Sequence, residues 1–127
     1  MRLLLVEDSA LIRTMYRLAF PPREHKIEEA EDGQRALELL DASTERFDAI
    51  LLDLNMPRMN GVEFIRALQQ RPRHRDTPVI VATSQGETSV LLRDARRLGV
   101  AAVVKKPWKP LELAKLVRAL GEQPPRG

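Results

Sequence analysis

Four short apolar runs punctuate the chain, Leu3–Val6, Ala49–Leu52, Val79–Ala82 and Ala101–Val104, each rich in Leu, Ile, Val or Ala and each too short for a helix. Such runs read as strands buried on both faces. A weaker run at Lys26–Ala30, with Ile27 set among charges, reads as an additional edge strand, because charge discourages pairing with a further chain. Between the strands lie segments of helical length and period at Ser9–Phe20, Gln34–Leu40, Val62–Gln70, Thr88–Leu98 and Leu111–Leu120. Strand and helix alternate throughout, which implies an α/β fold with a parallel sheet covered on both faces and right-handed crossovers.

Local signals mark the boundaries. Ser9 can cap the first helix, and Pro21–Pro22 stops it because proline has no N–H to donate. Gly33 marks the turn into the second helix, and Gly99 sits where a left-handed cap would end the fourth. Residues 1–120 are expected to form one domain. The stretch Gly121–Gly127, with two prolines and little apolar surface, is expected to be a flexible tail or a linker stub.

Composition narrows the function. With 127 residues, 43% hydrophobic and 31% charged, the chain has the make-up of an ordinary globular domain, and no apolar run approaches the ~20 residues of a membrane span. Met1–Val6 runs straight into Glu7 and Asp8, which leaves no signal-peptide core, so a cytoplasmic location is expected. There is no cysteine, and His25 and His74 stand alone, so any metal would be bound through oxygen. The net charge of +3 raises the question of nucleic acid, but the arginines are scattered over the helices and aromatic residues for base stacking are few.

In sheets of this kind ligands bind beyond the carboxyl ends of the strands. There the sequence places Glu7–Asp8 after the first strand, Asp53 after the third, Thr83–Ser84 after the fourth and Lys105–Lys106 after the fifth. A polar residue after any one strand is ordinary, whereas three carboxylates, a hydroxyl pair and an ammonium at one edge define a site. Carboxylates gathered in one pocket repel one another, which raises a pKa or calls for a cation. Mg²⁺ fits, with Asp8 and Asp53 as direct ligands and Glu7 holding a coordinated water. Phosphoryl transfer needs an in-line nucleophile and charge neutralisation. Asp53 is ionised at neutral pH and can attack without a general base, while Thr83 can donate a hydrogen bond and Lys106 can pair with the phosphoryl group.

The segments LLLVEDS at Leu3–Ser9, EAEDGQRAL at Glu29–Leu37, ILLDLNMPRMNG at Ile50–Gly61, PVIVATS at Pro78–Ser84 and VVKKPW at Val103–Trp108 together resemble the receiver domain of two-component response regulators, of the chemotaxis-regulator kind. The resemblance covers Arg2 to about Leu120. It implies a flavodoxin-like, doubly wound sheet of order 2-1-3-4-5 with five helices, the strand order that general fold rules give for that regulator. It also implies that Glu7 and Asp8 are the metal-binding acidic pair, that Asp53 is the phosphoacceptor, and that the backbone carbonyl of Asn55 completes a Mg²⁺ (or Mn²⁺) site. Thr83 corresponds to the switch hydroxyl. Lys106, which precedes a proline, corresponds to the pocket lysine, with a cis bond to Pro107. Val103 stands where many relatives carry a Tyr or Phe that turns inward on activation.

The implied function is acceptance of a phosphoryl group from a sensor histidine kinase or phosphotransfer protein, with a switch of the face formed by the fourth helix, fifth strand and fifth helix. Such a chain is no enzyme beyond its own phosphorylation and dephosphorylation. Arg93, Arg96, Arg97, Lys109, Lys115 and Arg118 suggest a downstream protein target with an acidic surface, against a plain solvated face. The expected partners include neither nucleic acid nor membrane. The competing reading is a phosphorylation-independent docking module. A haloacid-dehalogenase-like phosphatase would need a second Asp where Asn55 stands.

Overall fold

The computed structural model describes residues 1–84 and 89–122. The elements alternate as expected: β1 (Arg2–Val6), α1 (Ala10–Ala19), β2 (Lys26–Ala30), α2 (Gly33–Ala42), β3 (Ala49–Leu52), α3 (Gly61–Gln69), β4 (Val79–Thr83), α4 (Val90–Arg97), β5 (Ala102–Lys105) and α5 (Pro110–Gly121). All pairings are parallel and the strand order is 2-1-3-4-5, so the fold is the flavodoxin-like one.

Alternation of side chains along each strand builds two cores. Leu3, Leu5, Leu51, Ile80 and Ala82 face Tyr16, Phe20, Leu113 and Val117 of α1 and α5. Leu4, Val6, Ile50, Leu52 and Val81 face Leu37, Leu40, Phe64, Leu68 and Leu92 of α2, α3 and α4. No helix among the described residues is long and apolar enough to cross a membrane.

Helix starts follow the local chemistry. Ser9 accepts from Ile12 N at 3.2 Å, Asp32 accepts from Arg35 N at 2.8 Å, and Asn60 with Glu63 forms a reciprocal capping box. Gly99, at φ 87, follows α4 in the left-handed conformation that suits glycine.

Three expectations need correction or placement. The run Ala101–Val104 reads as a doubly buried strand, but β5 is a half-exposed edge strand with no pairing beyond β4 among the described residues. Its backbone edge and Val103 and Val104 are only partly covered. Gly121 is the last residue of α5, so the helix runs one residue past the expected start of the tail. Thr88 and residues 123–127 lie outside the described residues.

Candidate functional site

Sheet hydrogen bonds continue one residue past β1, β3 and β5 and fix what stands there. Glu7 N donates to Ala30 O at 3.0 Å, Asp53 N donates to Val6 O at 3.0 Å, and Lys106 N donates to Thr83 O at 2.9 Å. The backbone of Glu7, Asp53 and Lys106 is therefore held by the same ladder that builds the core, which gives the edge the rigidity of the sheet.

One carboxylate oxygen from each of Glu7, Asp8 and Asp53 can be chosen so that all lie within 4.8 Å of one another. Lys106 reaches over them, with Nζ at 2.5 Å from Glu7 Oε1 and 3.6 Å from Asp53 Oδ2. Glu7 is 1% exposed and Asp53 8%, while Asp8 is open to solvent. Burial pushes the Glu7 carboxyl up to about 7, with neighbouring Asp53 and Asp8 adding to the rise and Lys106 opposing it. One ammonium against three carboxylates leaves an excess of negative charge on hard oxygen donors.

Asn55 lies at the exposed rim, its N–H donating to Asp53 Oδ1 at 3.3 Å. Thr83 is buried at the end of β4, opposite Lys105 in the register. Lys105 itself points to solvent, and the Lys106–Pro107 peptide bond is cis. Val103 is half-buried beside the α2–α3–α4 core. Trp108 packs inside the other core, stacked on Tyr16 with ring centroids 4.8 Å apart. The Tyr16 hydroxyl is pushed up by its burial and by the Glu7 and Asp53 charges.

Two residues at this edge escape a reading of the sequence. Arg13 donates from Nη1 to the Glu7 carbonyl at 2.7 Å. The available signal is its position: a cation one turn into α1 opposes the positive end of the helix dipole, so it needs a local acceptor. Arg58, at φ 68 in the loop after Asp53, pairs with the α2 cap Asp32 at 3.0 Å and ties that loop to α2. A bulky residue with positive φ is not legible from sequence.

The family model of the response regulator receiver domain matches residues 3–118. The chain belongs to this family. Two curated relatives agree: the transcriptional regulatory protein ResD of Bacillus subtilis is 33% identical over 94% of this chain, and SrrA of Staphylococcus aureus is 32% identical over 93%. The chain spans about half the length of each, 47% and 46%. Among solved structures, the chemotaxis protein CheY4 of Vibrio cholerae superposes with a TM-score of 0.83 at 28% identity, covering 94% of this chain and 97% of that one. The receiver domain of a signal transduction histidine kinase from Syntrophus aciditrophicus gives 0.82 at 28% identity, covering 94% and 88%. The chain is thus a receiver domain of two-component signalling.

Proposed function

We propose that this receiver domain is a phosphorylation switch of the cytoplasm, in which a sensor histidine kinase or a phosphotransfer protein passes a phosphoryl group to Asp53. The observation that supports this reading best is the packing of Asp53, Glu7 and Asp8 within 4.8 Å, with the Lys106 ammonium 3.6 Å from the Asp53 carboxylate. The donor set fits Mg²⁺ or Mn²⁺, because hard oxygens in charge excess favour a hard divalent cation. Glu7, Asp8, Asp53 and the Asn55 backbone carbonyl would hold the ion, which when bound would offset the charge on the phosphoryl oxygens.

The chain's own groups then divide the work. An Asp53 carboxylate oxygen attacks phosphorus while the P–N bond to the donor imidazole breaks, and the nitrogen keeps the electron pair. Asp53 acts as an anion, so no proton has to be removed first. Lys106 exchanges its Glu7 contact for a phosphoryl oxygen, and the Thr83 hydroxyl donates to another. In the return reaction water attacks phosphorus, the P–O bond to Asp53 breaks, and inorganic phosphate leaves with the carboxylate regenerated. The chain would catalyse only these two reactions on itself.

Thr83 is the last residue of β4 and is paired with β5, so its movement bears on the face made by α4, β5 and α5. Residues 89–122 carry eight basic and three acidic side chains, and Arg93, Arg97, Lys105, Lys109, Lys115 and Arg118 form no salt bridge among the described residues. An acidic protein target complements this face, and phosphorylation would shift the population towards the form that binds it. Replacing Arg93 and Arg97 with Glu is expected to slow association with such a target and to flatten its salt dependence, measured by stopped-flow mixing; unchanged rates would remove charge steering.

The central test is intact-mass measurement after incubation with acetyl phosphate, with and without Mg²⁺, beside Asp53→Asn. A Mg²⁺-dependent gain of one phosphoryl group that is absent from the variant is the expected result. No gain under any condition would refute the switch and favour a phosphorylation-independent docking module.

A further inference from the structure

The peptide between Glu7 and Asp8 carries an acidic side chain on either side, so its orientation governs both carboxylates at once. Its amide neighbours are spoken for by the sheet: Val6 O accepts from Asp53 N, and Glu7 N donates to Ala30 O. The ladder runs out at that point, and the Glu7 carbonyl takes its hydrogen bond from outside the sheet, from Arg13 Nη1 at 2.7 Å. Arg13 is itself pinned. Its Nε lies 3.3 Å from Glu29 Oε1, and the same carboxylate on β2 accepts from Arg17 Nη1 at 2.5 Å. The Arg13 side chain is only 19% exposed, and its guanidinium lies between the Glu7 carbonyl, to which it donates, and the Glu29 carboxylate, with which it forms an ion pair.

We infer that Arg13 is a positioning residue for the acidic pocket: through the Glu7 carbonyl it fixes the Glu7–Asp8 peptide plane, and with it the spacing of the carboxylates that would receive a divalent cation. This rests on the proposed function, in which the pocket binds such a cation. Partners that orient metal ligands from behind are commonly worth 10 to 100-fold in affinity, and about tenfold is expected here.

Simple electrostatics sets the opposite sign, which makes the inference sharp. Deleting a positive charge near three carboxylates should tighten cation binding if the charge is all that matters. The experiment is titration of the full chain with Mn²⁺, followed by the paramagnetic resonance signal of the free ion, for the parent, Arg13→Met, Arg13→Lys and Arg17→Met. Arg13→Met is expected to bind Mn²⁺ about tenfold more weakly. Arg13→Lys keeps the charge but has one nitrogen where the guanidinium reaches Glu7 O and Glu29 from two, and is expected to weaken binding about threefold; it decides the matter if the methionine variant does not fold cooperatively. Arg17→Met, whose guanidinium bonds Glu29 and Thr14 and not the Glu7 carbonyl, is expected to bind as tightly as the parent or more so. Parent-like or tighter binding by a folded Arg13 variant overturns the inference. A parent that binds no Mn²⁺ overturns the metal reading itself, and the role of Arg13 with it.

Discussion

Glu7→Gln is expected to stabilise the metal-free protein by about 2 kcal/mol at about pH 8 and to leave it unchanged or slightly weaker at about pH 4.5. The cause is burial of the Glu7 carboxylate, which raises its pKa from the ordinary 4.5 to about 7 even though Lys106 Nζ lies 2.5 Å away. Between those two values the native state holds a proton that the unfolded chain has released. Stability from this group is therefore complete below about 4.5, falls as pH rises, and is lost above about 7. At roughly 1.4 kcal/mol per pH unit the loss is about 3 kcal/mol. Glutamine does not titrate, but its amide N–H would face Ser9 N, which now donates to Glu7 Oε2 at 3.3 Å, so recovery is incomplete.

His25 and His74 have pKa values lowered chiefly by burial and contribute with the opposite sign, losing stability as pH falls below their ordinary value. The quantity to measure is accordingly the difference between parent and variant in urea denaturation across the pH series, where the histidines cancel. A difference independent of pH would show that Glu7 carries no such penalty. On the proposed metal reading, Mg²⁺ in the same series should narrow the difference at about pH 8, because the parent would gain a ligand that the glutamine variant binds less well.

The architecture is legible in the sequence because β1, β3 and β4 are covered on both faces, and a short, wholly apolar run such as Leu3–Val6 suits a strand buried on both sides better than an amphipathic helix or a surface strand. The edge position of β5 is not legible from its run, since Ala, Val and Val look the same whether or not a further strand lies beside them. The convergence of Glu7, Asp8, Asp53, Thr83 and Lys106 follows from one rule, that parallel strands end at the same edge. What lies between those residues does not follow from it. Sequence chemistry directs Lys106 towards a phosphoryl group, whereas its ammonium rests on Glu7, a residue 99 positions away. Composition alone reads Gly121 as tail, whereas the last turn of α5 includes it.

Gly61→Ala is expected to cost about 3 kcal/mol and to impair phosphorylation at Asp53, from a site that makes no contact with substrate. A Cβ on Gly61 would stand 2.8 Å from Asp53 O, 2.8 Å from Leu54 Cα and 2.8 Å from Leu54 Cδ2. Two of these three atoms are backbone, and both belong to the segment that carries Asp53, the proposed phosphoacceptor. Gly61 N also donates to Leu54 O at 2.9 Å, so the chain here cannot separate without losing a hydrogen bond. The clash must be relieved by displacing α3 or the Asp53–Leu54 peptide, and the second route moves the carboxylate itself. Gly33→Ala supplies the control, because its Cβ would meet Met59 Sδ at 2.8 Å and Cγ at 3.1 Å, the flexible part of a partly buried side chain that can turn away. That variant is expected to lose less than about 1 kcal/mol and to gain helix propensity at the start of α2. Denaturation midpoints and acetyl phosphate labelling of both variants would separate the cases: equal losses at the two glycines would mean that tight packing anywhere in this half of the molecule matters, and that the close approach behind Asp53 has no special part.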